Sequence, residues 1–474
     1  MPPRRRVAAT VAEPPPRPRA AGARGPRRPA RAGIPAGGGL SVERLTLENG
    51  LRVVVSPDRS SPVVGVAVYY DVGFRSEPQG RTGFAHLFEH MMFQGSANVT
   101  KMQHPHLVQG AGGTMNGSTH PDFTNYFEAL PSNALELALF LEADRMRSLA
   151  LTQENLDNQV AVVQNEIRVN VLNRPYGGFP WILLPPVAFD TFPNAHNGYG
   201  DFTELEAATL SDARDFFERF YAPSNAVLSV VGDVDVTRTL TLVRRHFGEI
   251  PGRPAPTRAS FAEPPLSADR RSVHHDRQAP TPAVALGWRA PDPEGRPREY
   301  LAMVVLAELL AEGDASRLRR RLVLDERVAI DVEAYLGTFG DPFEQRDPLL
   351  FTITAVHPGD IPVDTVVAGV DQELDRLATA GLEPGELARV QSLLSAQLLR
   401  RLDHVLGRTQ QLAMFELLRG RAEAMQELPA LIADLSEADV CAAAGRLRAD
   451  HRAVLEVVPG GAGSAAAPSS GGPG

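Results

Sequence analysis

Cysteine is almost absent from this chain: Cys441 is the only one in 474 residues. A disulfide scaffold and a cysteine-built zinc ribbon are therefore excluded, and a zinc site must be built from histidine and carboxylate. Long apolar runs are missing too. No stretch approaches the ~20 apolar residues that a membrane span needs, although a hydrophobic content of 43% suits a globular protein. An export signal is not visible. The apolar run after Arg6 is about six residues long and ends in Glu13 and prolines, too short for a signal h-region. The same prolines break the amphipathic helix that a mitochondrial presequence requires. These absences favour the cytoplasm, with the periplasm left open and the compartment unassigned. A net charge of −9 argues against nucleic acid as a partner.

The charge is unevenly spread. Residues 1–39 hold nine arginines and one acid, Glu13, among many Pro, Ala and Gly. Such a segment buries too little surface to fold and reads as a disordered basic tail. The remainder then carries −17, an acidic body that favours basic peptides over acidic ones. Ordered sequence begins near Leu40. RLTLENGLRVVVSPD reads as a hairpin about Asn49-Gly50. Strand-like and helical runs follow up to AVLSVVGDVD. The proline-rich stretch 251–271 reads as a linker. Beyond it the order of elements repeats, from TPAVALGWRAP to RAVLEVVPG. The expectation is an α/β (α+β) fold of two similar tandem domains, 40–250 and 272–460. Each should be a mixed, largely antiparallel sheet flanked by helices, with a flexible tail at 461–474.

Within an apolar segment sits HLFEH, with His86, Glu89 and His90. Helical positions i, i+3 and i+4 share one face, so the three side chains project together. Two histidines one turn apart can hold one zinc ion through neutral ring nitrogens. A glutamate at this spacing is not a ligand; it lies beside the metal and can take a proton from water. A catalytic zinc also needs a third protein ligand. Glu154, Asp157 and Glu166 all lie on the next long helical segment. Glu166 is one residue from its apolar stripe, but spacing alone does not choose among the three.

HLFEHMMFQGS, GGTMNGSTHPDFTNY, VVQNEIR and FYAPSNAVLSVVGDVD, in that order, resemble the pitrilysin/insulinase family of zinc peptidases over about residues 42–460. The zinc-binding chains of two-chain bacterial members and of the mitochondrial processing peptidase are the nearest in kind. The resemblance implies one Zn2+ per chain on His86, His90 and Glu166, the last lying 76 positions beyond His90 as in the family. It implies Glu89 as general base and a peptide as substrate. It also implies that Asn116, Gly117 and Ser118 lie on a strand edge that pairs with extended substrate.

Two positions depart from the family pattern. A second glutamate seven residues before the ligand is here Gln159, which can still hydrogen-bond a histidine or the ligand carboxylate. Single-chain relatives carry an Arg and then a Tyr after an SRL-like helix start. Those positions are Val323 and Ile330 here, and neither side chain donates a hydrogen bond. Arg317, Arg319, Arg320 and Arg321 lie nearby but off register, and Tyr335 reads as an ordinary strand residue. The implied partner is a homologous chain that lacks the zinc motif and supplies the Arg/Tyr pair. A homodimer using one of the nearby arginines ranks second, and a non-catalytic peptide-binding or scaffold subunit is the alternative from a different class. His104, His106 and His120 read as loop or packing residues, and Cys441 as buried and inert.

Overall fold

The computed structural model describes residues 40–460, so the two expected tails lie outside the described residues. The β-branched runs on either side of Asn49-Gly50 pair as expected. Strand β1 (Glu43–Thr46) runs antiparallel to β2 (Arg52–Pro57). Gly50 takes φ +88° in the turn between them, where a side chain would be strained. Strands β3 (Val63–Tyr70), β4 (Thr114–Thr119), β5 (Thr124–Pro131) and β6 (Ala226–Gly232) complete a sheet ordered β1-β2-β6-β3-β5-β4. A second sheet holds β7 (Arg270–Asp276), β8 (Ala283–Arg289), β9 (Asp331–Leu336), β10 (Leu350–Val356) and β11 (Ala453–Pro459), ordered β7-β11-β8-β10-β9. Each sheet has one parallel pair, β2 with β6 and β7 with β11. Without β1 the two orders are the same, β7-β11-β8-β10-β9 standing for β2-β6-β3-β5-β4. The internal repeat is therefore one of topology, and the sheets are mixed and mostly antiparallel.

Helices α1 (Phe84–Met91), α2 (Gln103–Gly110), α3 (Leu135–Arg147) and α4 (Gln153–Ile167) contribute to the core on one face of the first sheet. Phe84, Phe88 and Met91 meet Leu139, Leu156 and Val163 there, against Val66, Val68 and Tyr126. The opposite face is covered by the second half. The helix Val405–Arg419 lies across β3, and Thr409 sits where a Cβ on Gly65 would be. In return, Leu184, Ala188 and Phe189 of the first half pack on Ala285, Leu350 and Leu455 of the second sheet. Each half thus closes part of the other's core.

The stretch read as a linker is not a free one. β7 begins at Arg270, inside it. Leu266 is buried, and Glu263 accepts hydrogen bonds from the Asp190 N–H (2.8 Å) and the Asn194 amide (2.8 Å). Proline removes periodicity, but it does not prevent a strap from docking by its intervening side chains. Cys441 is half-buried rather than buried. Among the described residues no helix is long and apolar enough to cross a membrane.

Behind β4 lies a buried polar cluster. His104, Glu128, Glu142 and Arg145 are each at most 4% exposed. Arg145 pairs with Glu142 and lies over the Tyr126 ring at 4.3 Å. Glu128 has no hydrogen-bond partner on either oxygen, and His104 Nε2 stands 3.5 Å from it. Although these groups could in principle ligate a metal, the Arg145 cation already occupies the cluster and answers one of its two acids. Burial pushes the Glu128 carboxyl well above the usual carboxylate range, which favours its neutral form. A raised folded pKa means stability that is complete below the unfolded carboxyl pKa and drains away as pH rises toward the folded one. Glu128→Gln keeps the neutral shape and removes that dependence. Its thermal midpoint should exceed that of the parent chain at pH 8, by the equivalent of about 1 kcal/mol or more. The gap should close toward pH 5, as calorimetry at the two pH values would show.

Candidate active site

Helix α1 carries HLFEH, and its start is held by one buried acid. Glu77 accepts from the backbone N–H groups of Gly83 (2.9 Å) and Ala85 (2.7 Å), two donors that have no partner inside the helix. His196 Nε2 lies 3.2 Å from the same carboxylate. Thr152 caps α4 through the Asn155 N–H (3.2 Å). Glu166 stands in the last turn of that helix, where α4 crosses α1.

The side chains of His86, His90 and Glu166 converge. Their closest atoms are His86 Nε2 and His90 Nε2 at 3.3 Å, His90 Nε2 and Glu166 Oε2 at 3.3 Å, and His86 Nε2 and Glu166 Oε2 at 3.7 Å. Three ligands of a tetrahedral zinc, each ~2.0–2.1 Å from the ion, are separated by ~3.3 Å. The donor set therefore fits zinc in type and in spacing. Burial, aided by His90, pulls the His86 imidazole down to about 4. The His90 hydrogen bond lowers Glu166. Neutral imidazole beside an ionised carboxylate is the protonation state that receives a cation. Tyr199, whose ring stands edge-on to His86, donates to Glu166 Oε1 at 3.1 Å. Oε2 is left facing the histidines.

Glu89 is nearby but has another task. Thr119 Oγ1 donates to its Oε2 at 2.8 Å, and burial raises its pKa. Thr119 belongs to β4, the edge strand of the first sheet. Asn116, Gly117 and Ser118 lie on that edge as expected. Gly117 fits between two neighbours. A Cβ there would lie 3.1 Å from the Tyr126 ring and 3.3 Å from Glu89 Cγ. Gly117→Ala should push Glu89 out of place and lower peptide turnover by roughly tenfold or more, with bound metal unchanged. Parallel activity and zinc assays check this.

Some expected contacts are not formed. Gln159 is buried, but its amide donates to Asn158 Oδ1 (2.8 Å) rather than to a histidine or Glu166. Gln159 nevertheless lines a cavity that also touches His90 and Glu89. Val323 packs partly against the second core, and Ile330 is exposed at the start of β9. Arg317 is bound to Glu373 (3.1 Å) and Glu386 (2.6 Å). Arg319 holds Asp314 and Asp331, and Arg321 holds Glu326. These arginines are committed to their own half.

Two cavities flank the site. One, of about 370 Å3, touches His86 and Glu89 and is walled by Phe74, Trp181, Tyr199, Phe339, Leu349 and Leu350. Tyr335, read from sequence as a strand residue, is on β9 and also faces this space. The other, of about 530 Å3, touches Glu89 and His90 and includes Phe93, Met102, Met115 and Val162. Thr119, Trp181 and Tyr199 were not singled out by sequence reasoning. Trp181 and Tyr199 sit in a Pro/Gly-rich stretch without periodicity, so no local signal marked them. Thr119 adjoins the named Ser118, and alternation along a strand next to Glu89 was the available clue.

A duplicated mixed-sheet fold that carries HxxEH on one half only is the layout of a metallopeptidase class. The chain belongs to the insulinase family, peptidase family M16. Residues 52–175 match the family model described as Insulinase (Peptidase family M16), and residues 207–394 match the one described as Peptidase M16 inactive domain. It is 29% identical over 352 residues to the zinc protease PqqE of Helicobacter pylori, covering 73% of this chain and 77% of that protein. An uncharacterized zinc protease of Mycobacterium leprae is 30% identical over 308 residues, covering 63% of this chain and 67% of that one. The crystal structure of a protease from Helicobacter pylori superimposes with a TM-score of 0.82 at 26% identity, over 89% of this chain and all (100%) of that one.

Proposed function

We propose that this chain is a zinc metalloendopeptidase that cleaves peptides or short unfolded polypeptides. The observation that carries the reading is the convergence of two imidazole nitrogens and one carboxylate oxygen at ligand spacing, with a separately held glutamate alongside. His86, His90 and Glu166 would hold the ion. A bound zinc supplies an acidified water and a counter-charge for the carbonyl oxygen. Glu89 would take a proton from the attacking water and give it to the leaving amine. Thr119 fixes the carboxylate for both transfers, and Tyr199 keeps one Glu166 oxygen aimed at the rings. The open edge of β4 pairs with an extended peptide through Asn116–Ser118. The aromatic cavity beside His86 and Glu89 receives a bulky apolar side chain next to the cut bond.

The chain works with a partner of the same fold. Val323 and Ile330 offer no donor, and Arg317, Arg319 and Arg321 are paired locally. A donor that meets the reacting oxygen is worth ~2.7–4 kcal/mol in such reactions. Its loss leaves a reason for a second chain to supply it. The test is a peptide-hydrolysis assay on the purified chain with zinc, with and without a homologous chain lacking HxxEH, and with a chelator. Zinc-dependent cleavage that rises sharply with the second chain supports the reading. Full cleavage by the chain alone rejects the partner, and cleavage indifferent to chelation rejects the zinc mechanism.

A further inference from the structure

The loop between β9 and β10 is the topological counterpart of the turn between β4 and β5, and the two are in contact. The β4–β5 turn holds His120, Pro121, Asp122 and Phe123. His120 Nδ1 lies 3.0 Å from Glu344 Oε2 on the opposing loop. The Arg346 N–H donates to Asp122 Oδ2 at 2.6 Å. Arg75, which forks onto Asp122 (3.0 and 2.5 Å), also donates to the carbonyl of Asp347 at 3.2 Å. The ring of Phe339, from the same loop, stands edge-on to His120 at 5.8 Å.

We propose that this loop of the second half is a positioning element for the site, acting through Glu344 on His120 and so on strand β4. His120 directly follows Thr119, the residue that holds Glu89. On its other nitrogen it meets Ser118 Oγ at 2.9 Å, while Ser118 gives its own hydrogen to Asn125 Oδ1 at 2.6 Å. The imidazole is stacked on Phe123 at 4.3 Å, and its Nδ1 approaches Glu344 closely without the geometry of a hydrogen bond. The close approach of Glu344 to His120, with the hydrogen bonds that join His120, Ser118 and Asn125, thus holds the end of the edge strand on either side of Thr119. Among the described residues this edge strand pairs with β5 alone. Asp122 and Arg75 are fully buried and their loss would disturb folding. Glu344 is partly exposed, and its side chain can be cut without stranding a buried charge. A half with no HxxEH thereby acts on the chemistry of the other.

This inference rests on the peptidase reading, and the experiment separates the two. Glu344→Ala, Glu344→Asp, His120→Gln and the Glu344→Ala/His120→Gln pair are compared with the parent chain, each with zinc and any required partner. For Glu344→Ala, kcat/KM should fall roughly 10- to 100-fold, with zinc content and thermal midpoint retained. Glu344→Asp should recover part of the loss. The double variant should be no worse than the poorer single one, since both act on one contact. Hydrogen exchange at the amides of Asn116–Thr119 should quicken in Glu344→Ala. Unchanged exchange at those amides, or kcat/KM losses that multiply in the double variant, overturns the proposal. If the parent chain cleaves nothing, the peptidase reading falls on its own, and the exchange measurement still decides whether Glu344 orders β4.

Discussion

Glu89→Gln should abolish peptide cleavage while leaving zinc in place. Glutamine has nearly the same shape and still accepts the Thr119 hydroxyl on its amide oxygen, so the local packing survives. It cannot take a proton, and the step that generates the attacking water loses its base. General acid–base groups contribute typically ~10²–10⁴-fold, and Glu89 is asked to act twice, on the water and on the leaving amine. The expected fall in kcat is therefore at least that large, about 3–5 kcal/mol in barrier. KM and zinc stoichiometry should stay close to those of the parent chain, because His86, His90 and Glu166 are untouched. Unchanged cleavage by Glu89→Gln would mean that the proton acceptor is a different group. A variant that loses zinc as well would mean Glu89 is a ligand.

Glu166→Gln should weaken zinc binding and activity together. The carboxylate supplies the only negative charge among the three converging donors. Its Oε2 lies 3.3 Å from His90 Nε2 and 3.7 Å from His86 Nε2. Losing an outer partner of a metal ligand costs ~10–100-fold in affinity; losing the ligand's charge should cost more. Equilibrium dialysis against buffered zinc measures this directly. Tyr199→Phe provides the graded comparison, since it removes only the hydrogen bond to Oε1, and its loss should stay within that outer-partner range. If Glu166→Gln binds zinc as tightly as the parent chain, the third ligand lies elsewhere.

Much of this site was legible because its first elements are local. His86, Glu89 and His90 share a face by helical period alone, and β-branched runs beside Asn49-Gly50 specify a hairpin without tertiary help. Glu166 was different. Three acids on one helix were equivalent by spacing, and only the family resemblance separated them. The structure adds the physical reason: the last turn of α4 is the one that crosses α1. Gln159 shows the converse error. It lies two turns from Glu166 and lines a cavity together with His90, but its amide is taken by Asn158. Trp181, Tyr199 and Glu344 reach the site through long-range packing of irregular segments, and irregular segments carry no period to read. The docking of the proline-rich linker was unreadable for a similar reason. Proline content predicts the absence of helix and strand, not the absence of docking through Glu263 and Leu266.

Both sheets receive a central strand from far along the chain: β6 inserts between β2 and β3, and β11 between β7 and β8. During synthesis, the edges of β2 and β3 that face β6 therefore stay unpaired until residues from 226 onward have left the ribosome. Residues 270–289 wait still longer for their own late-arriving neighbour, at 453. Unpaired strands held open over such intervals are targets for chaperones and for aggregation. A nascent chain stopped at residue 450 would lack only a small fraction of its length, yet it would expose two raw strand edges in the middle of a sheet.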